Sequence, residues 1–256
     1  MLSLERQEAY RRRYAGDNPS WRPATHLFRD LVAGHLTSTA RVLDLGCGRG
    51  GVIEELHPRA GLALGLDADL DSLRGHRASA LRRACGLAES LPYPDRSFDL
   101  ICCSWVLEHL SDPGRAFGEV ARLLTPGGHF IFVTPNRRHP LLILNRALGW
   151  IRGSQAKGRL VSWLYGRAPA DTFSAFYRAN TPGEIARWAE NAGLAPVALH
   201  LVSDPTYLAF DEPSYRLACL LERALPSAWR VHLVGDCVLT RPPSSSRPGT
   251  APDPHR

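Results

Sequence analysis

The chain has 256 residues and a formal charge of +6, but Lys157 is its only lysine, so the basicity is almost wholly arginine and is not read as a nucleic-acid signature. With 44% hydrophobic and 22% charged residues, its composition is that of a folded globular domain and excludes an intrinsically disordered chain. No uncharged apolar stretch approaches the roughly 20 residues of a membrane-spanning helix, and the arginine-rich start lacks the apolar centre of a signal peptide, so a cytoplasmic location is expected.

Residues 1–40 read as an N-terminal helical cap. Tyr10 and Tyr14 on it are candidates to close over a ligand, the alternative being plain surface packing. From residue 41 onward apolar runs alternate with amphipathic stretches, the rhythm of βαβ units that feed a mostly parallel sheet. Strands are predicted at 41–45, 61–67, 81–85, 98–104 and 129–134, the last after the turn Thr125-Pro126-Gly127-Gly128. The clearest helix between them, 113–124, places Ala116, Phe117, Val120, Leu123 and Leu124 on one face.

The pattern breaks after the fifth strand, where 137–180 forms an insertion. Within it, 137–170 holds Arg137, Arg138, Arg146, Arg152, Lys157, Arg159 and Arg167 and no acid, interleaved with apolar residues such as Leu141, Ile143, Trp150 and Trp163. Short helices covering an acceptor pocket are expected, because insertions here lie beside the carboxyl ends of the strands. Contact with an anionic membrane surface is a bolder alternative. Thr181, Pro182 and Glu184 then have the spacing of an N-cap, a first-turn proline and a capping box, opening a helix that ends near Gly193. Strands at 196–202 and 232–241 bring the total to seven, and 242–256 is a low-complexity tail predicted to be disordered. The expected fold is therefore α/β, a doubly wound seven-stranded sheet over 41–241 with a helical insertion after strand five.

Six cysteines, Cys47, Cys85, Cys102, Cys103, Cys219 and Cys237, include no C-x-x-C pair and no metal-ligand spacing with histidine, so they are read as thiols and no metal is expected. The segment 42–51 carries the chemistry. Gly46, Gly48, Gly50 and Gly51 stand where a buried strand turns into a helix, which lets a ligand approach bare backbone. Gly46, Gly48 and Gly51 satisfy the dinucleotide fingerprint G-x-G-x-x-G, whereas Asp44, Gly46, Gly48 and Gly50 satisfy acid-x-G-x-G-x-G. A pyrophosphate prefers a helix N-terminus free of carboxylate, and a sulfonium ligand with an ammonium group does not, so Asp44 favours the cationic ligand. Asp67 closes the second strand where a carboxylate can accept hydrogen bonds from both ribose hydroxyls. The alternative is that Asp67, Asp69 or Asp71 caps the following helix.

Taken in order, Val42 to Gly50, Gly65-Leu66-Asp67, Ala88 to Asp95 with Ser97-Phe98-Asp99, Val106-Leu107-Glu108-His109-Leu110 and Pro126-Gly127-Gly128 resemble the class I S-adenosylmethionine-dependent methyltransferases, in particular those with ubiquinone-pathway-like motifs. The resemblance implies a Rossmann-like methyltransferase fold, a seventh strand inserted antiparallel at the sheet edge, S-adenosylmethionine as cofactor and a small-molecule methyl acceptor. It also implies that Asp44 and the backbone of Gly46, Cys47, Gly48 and Gly50 hold the methionine part, Asp67 the ribose, Ala88 and Glu89 the adenine edge, and the Ser104 carbonyl the ammonium. Leu87 departs from the acid common before the alanine of the adenine motif, so adenine must be met by backbone, by Glu89 or by apolar stacking.

Methyl transfer from a sulfonium is an in-line displacement in which the protein orients both reactants and excludes water. Where the acceptor must lose a proton, His109 on the rim after the fourth strand is the candidate base, the alternative being local capping or packing. Tyr177 and Arg178, just before a helix, are candidates to face the acceptor. A nicotinamide-dependent oxidoreductase and a catalytically silent cofactor-binding protein remain the alternatives from other classes.

Overall fold

A computed structural model describes residues 4–144 and 174–240. The tail at 242–256 and the central part of the insertion lie outside the described residues. Seven strands, β1 (Arg41–Leu45), β2 (Leu62–Asp67), β3 (Arg82–Cys85), β4 (Phe98–Ser104), β5 (Leu124–Pro135), β6 (Leu194–Val202) and β7 (His232–Leu239), form one sheet in the order β3-β2-β1-β4-β5-β7-β6. The described α-helices are α1 (Leu4–Asp17), α2 (Ala24–His35), α3 (Val52–Leu56), α4 (Leu70–Arg74), α5 (Pro113–Leu123), α6 (Pro182–Asn191) and α7 (Glu212–Ala224).

Successive side chains of a strand point to opposite faces, and here both faces are covered. Leu43 and Leu45 of β1, Ile101 and Cys103 of β4, and Phe130 and Phe132 of β5 join Phe117 and Val120 of α5 and Ile185 of α6 in one buried cluster. Their neighbours Val42, Leu100, Cys102, Ile131 and Val133 face the other way, against Phe28 and Val32 of α2 and Ile53 of α3. The largely apolar sequences of these strands follow from that double burial. Each large side chain so removed from water contributes about 2 kcal/mol.

Two strand expectations are adjusted. The turn Thr125-Pro126-Gly127-Gly128 lies inside β5, as a bulge at which pairing with β4 jumps from Phe98↔Leu124 to Leu100↔His129, and Gly127 supplies the left-handed φ of 78° that the bulge requires. The expected placing of the antiparallel strand at the sheet edge is overturned: β7 lies between β5 and β6, antiparallel to both, and β6 is the edge. Burial explains it, since β7 is buried along nearly its whole length while β6 exposes several side chains. Gly235 permits this central position, because a Cβ there would stand 2.2 Å from Cζ of Phe132 on the neighbouring strand.

Capping follows the sequence closely. Asp112 accepts the Arg115 N–H at the start of α5, and Thr181 accepts the Glu184 N–H at 3.2 Å at the start of α6. Glu184 reaches back to the Thr181 hydroxyl and the Asn180 N–H rather than to the Thr181 N–H, a variant of the expected box. α1 packs through Tyr10, stacked on Tyr215 of α7 at 4.5 Å, and through buried Tyr14, edge-on to Trp21 at 4.9 Å. Both rings are thus engaged in aromatic packing, the alternative that their sequence left open.

Candidate active site

The strand order places β1 beside both β2 and β4, with the chain winding outward in opposite directions from there. Such a switch point opens a crevice at the carboxyl ends of the strands, where ligands of doubly wound sheets bind. Three of the predicted binding segments end here: the glycine loop after β1, Asp67 closing β2 and Ser104 closing β4.

Gly46, Gly48 and Gly50 all have positive φ, at 79°, 49° and 117°, so the loop is built from conformations that side chains oppose. The Gly46 and Cys47 N–H groups donate to the Leu66 carbonyl at 2.7 and 3.1 Å, which ties the turn to the end of β2. Gly46 also lies under Val106, whose Cγ2 would be 2.0 Å from an added Cβ. Around Gly48 the nearest atom to an added Cβ is the Asp67 Oδ2 at 4.0 Å. Gly48 therefore offers bare backbone with open space above it.

Asp67 joins the loop to the next helix. Its Oδ2 accepts the Gly48 N–H at 2.8 Å and its Oδ1 accepts the Asp69 N–H at 2.8 Å. The helix N-cap itself is Asp69, which accepts from Asp71 and Ser72. Asp67 is left at the crevice with one oxygen on the glycine loop.

Asp44 is buried at 5% exposure, and among the described residues only the Cys102 thiol donates to it, at 3.6 Å. Loss of water pushes its carboxyl up to about 7, partly offset by the thiol and reinforced by the charge of Asp67. A carboxyl held this high by burial is suited to a cationic neighbour, which would return it to the ionised form. Burial, with the charges of Asp44 and Asp67, pushes the Cys47 thiol up to about 12, and its Sγ fills the space that Gly65 leaves.

At the end of β4, Trp105 has a φ of 59°, a strained conformation for a bulky residue. Its N–H donates to the Val133 carbonyl at 2.9 Å and its ring stands edge-on to His232 at 5.1 Å, which together hold the turn that carries Ser104 and Val106. No motif marks Trp105 in the sequence; only the backbone reveals it.

Glu89 stands differently from the adenine-facing role implied for it. Its Oε1 accepts from the Ser111 N–H, the Ser111 hydroxyl and the Asp112 N–H, at 3.1, 2.9 and 3.3 Å. The carboxylate thus anchors the loop ahead of α5, while Leu87 beside it is exposed and Ala88 is buried. The signal was present in the sequence only as a polar Ser-Asp pair ahead of a helix.

His109, Tyr177 and Arg178 are brought together. The Glu108 carbonyl accepts the N–H groups of Phe176 and Tyr177 at 2.8 and 3.0 Å, and the His109 Nδ1 lies 3.0 Å from the Ser174 carbonyl. Arg178 donates to the Ser111 carbonyl and stacks over Phe176. Beneath them, buried Glu108 accepts the Thr134 hydroxyl at 3.0 Å and Asn180 donates to the same hydroxyl at 2.6 Å, so the rims of β4 and β5 and the chain leaving the insertion are one hydrogen-bonded unit. Burial raises the Glu108 carboxyl above its ordinary value. A cavity of about 370 Å³ on this side is lined by Arg137, Arg138, Ile143 and Thr181.

A sequence profile described as "Methyltransferase domain" matches residues 10–199. The chain is 34% identical over 163 residues to a ubiquinone biosynthesis O-methyltransferase of Alkalilimnicola ehrlichii, covering 60% of each protein. It is 31% identical over 212 residues to the enzyme of the same name from Ralstonia nicotianae, covering 77% of this chain and 82% of that one. A solved S-adenosylmethionine-dependent methyltransferase from Mesorhizobium loti superposes with a TM-score of 0.59 at 21% identity, over 84% of this chain and 98% of the other, and so shares the fold. The profile, together with a relative matched over 77% of the chain, shows that this protein belongs to the methyltransferase domain family.

Proposed function

We propose that this methyltransferase moves the methyl group of S-adenosylmethionine to a hydroxyl of a small, partly apolar acceptor. The observation that carries the cofactor reading is the buried Asp44 carboxyl beneath three glycines of positive φ, a pocket floor that disfavours a pyrophosphate and favours an ammonium. Bound there, S-adenosylmethionine supplies an electrophilic methyl on a sulfonium. Asp44 and the Ser104 carbonyl would meet the ammonium, the Gly46 to Gly50 backbone the methionine part, Asp67 the ribose, and the Ala88 and Glu89 backbone with Leu87 the adenine.

The hydroxyl acceptor is supported by the names of the relatives, which are O-methyltransferases. The chain spans 60% of the length of the first of them. Oxygen attacks the methyl carbon as the carbon–sulfur bond breaks, so the hydroxyl proton must leave. His109 on the rim is the proposed acceptor of that proton, and Tyr177 and Arg178 are the proposed acceptor-facing pair. The arginine and isoleucine lining of the cavity beside α6 suits an amphiphilic molecule. The part of 137–170 on which the membrane alternative rests lies mostly outside the described residues, though Ile143 and Leu144 at its start are half exposed.

The test is a thermal-shift panel of S-adenosylmethionine, its demethylated product, NAD and NADP, followed by mass spectrometry of phenols with and without an apolar chain. The first pair should raise the Tm and the nicotinamides should not. Methylation of chain-bearing phenols is expected. Methylation at nitrogen or carbon with no turnover of any phenol would discard the hydroxyl reading, and stabilisation by NAD alone would discard the cofactor reading.

A further inference from the structure

A second cluster of titratable groups lies on the sheet far from the glycine loop. His35 is the last residue of α2, His129 lies in the first half of β5 and Asp236 in the middle of β7. Nothing in their spacing suggests association, since His129 and Asp236 are 107 residues apart. The sheet register brings them together: Ile131 pairs with Asp236, and His129, two residues earlier, projects from the same face of β5 as Ile131. His129 stands five residues before Thr134 along the strand, roughly 17 Å from the rim that carries Glu108.

The geometry is compact. His129 Nδ1 is 2.8 Å from Asp236 Oδ1, and His35 Nε2 is 3.3 Å from Asp236 Oδ2. The two imidazole rings lie with centroids 3.8 Å apart at a tilt of 33°. One ligand atom from each residue can be chosen so that all lie within 4.8 Å of one another. A zinc ion with nitrogen and oxygen ligands at about 2.1 Å in tetrahedral geometry sets those atoms about 3.4 Å apart. The ligand atoms, already within 4.8 Å of one another, would have to draw in to that spacing on binding.

Charge makes the same demand. The Asp236 side chain is 4% exposed, and among the described residues its ion-pair and hydrogen-bond partners are these two histidines alone. A carboxylate so far from water requires positive charge. A divalent cation bound by both imidazole nitrogens would supply that charge at the carboxylate. The histidine side chains are 31% and 21% exposed, which leaves a path for the ion and for water in a fourth position.

We propose that His35, His129 and Asp236 form a binding site for a divalent first-row transition ion, zinc in the first instance, separate from the methyl-transfer crevice. Two imidazole nitrogens and one carboxylate oxygen are a donor set suited to such ions. The bound ion would join the end of α2 to β5 and β7, so that its effect falls on the stability of the helix-to-sheet packing.

The test uses the full chain stripped with a chelator and titrated with Zn²⁺ alone by calorimetry, with the Tm followed in parallel. One ion per chain and a Tm rise of several degrees are expected. His35→Ala and His129→Ala should each weaken Zn²⁺ at least tenfold, whereas His200→Ala, an exposed histidine on β6, should change nothing. S-adenosylmethionine-induced stabilisation should survive in all three variants. Should an alanine variant fail to fold, Co²⁺ in the unaltered protein supplies the reading: visible absorption bands of a nitrogen- and oxygen-ligated site support the proposal. Their absence, no stoichiometric Zn²⁺ binding, or an undiminished Zn²⁺ response in a folded His35→Ala/His129→Ala variant would overturn it.

Discussion

Replacing Asp44 with asparagine tests the central electrostatic feature of the crevice. The carboxyl stands at about 7 against an ordinary 3.8. At about 1.4 kcal/mol per unit, holding its charge in the unliganded fold costs about 4 kcal/mol. In the unfolded chain the proton leaves near 3.8 and in the fold near 7, so in between the folded state binds more protons than the unfolded one. The stability this carboxyl contributes is fully present below pH 3.8 and is lost as pH rises through 7. The asparagine side chain has the shape of the neutral acid and no charge to hold. At pH 8 the unliganded variant should therefore be more stable than the parent, by about 1–3 kcal/mol after relaxation and water penetration are allowed for.

His232 is buried and depressed to about 4, so it titrates with the opposite sense, its stability contribution rising with pH over much of the same window. The quantity to measure by urea unfolding is thus the variant-minus-parent difference at each pH, in which His232 cancels. That difference should grow from pH 4 to 7 and level off above. The ligand side follows from the same linkage. An ammonium placed against Asp44 pulls its carboxyl back to the ionised form, so calorimetry in buffers of different ionisation enthalpy should show close to one proton released on S-adenosylmethionine binding at pH 6 and close to none at pH 8. A variant no more stable than the parent at pH 8, together with no proton release at pH 6, would refute the argument.

Gly48→Ala and Gly46→Ala separate ligand access from folding. Space is open at Gly48 and only its φ of 49° resists a side chain, so about 1 kcal/mol of stability should be lost while affinity for the cofactor falls at least tenfold; at Gly46 the Val106 methyl 2.0 Å away makes unfolding the main outcome, and thermal melts with and without ligand distinguish them. Glu89→Gln removes the charge that meets Ser111 and Asp112, so the Tm should drop by the equivalent of about 1–2 kcal/mol, with unchanged discrimination between adenine and other bases in the cofactor. His109→Ala should slow turnover by roughly 10²-fold or more with KM for the cofactor unchanged; full turnover in single-turnover kinetics would remove it as the base.

Much of the framework is legible in the sequence. The bounds of β1 and β4 can be read there because doubly buried strands are mostly apolar, and Thr181 is readable as a cap because capping is a local hydrogen bond between near neighbours. The glycine loop announces itself through residue type, since few sequences tolerate so many glycines without a backbone that needs them. Less visible is what the polar side chains do. Glu89 meets Ser111 across 22 residues, and Glu108 meets Thr134 across 26. Such pairings depend on strand order and register, which local patterns do not encode.

Chain order and residue type thus determined the class of sheet, through the alternation of apolar and amphipathic segments, and the glycine loop with its buried acid, which arise within one strand and the turn that follows it. Only the folded arrangement decided that β7 runs between β5 and β6, that Trp105 takes a strained turn, and that His35, His129 and Asp236 meet. Those outcomes come from which surfaces are left to bury once the strands have assembled, a competition among distant segments that no short stretch of sequence records.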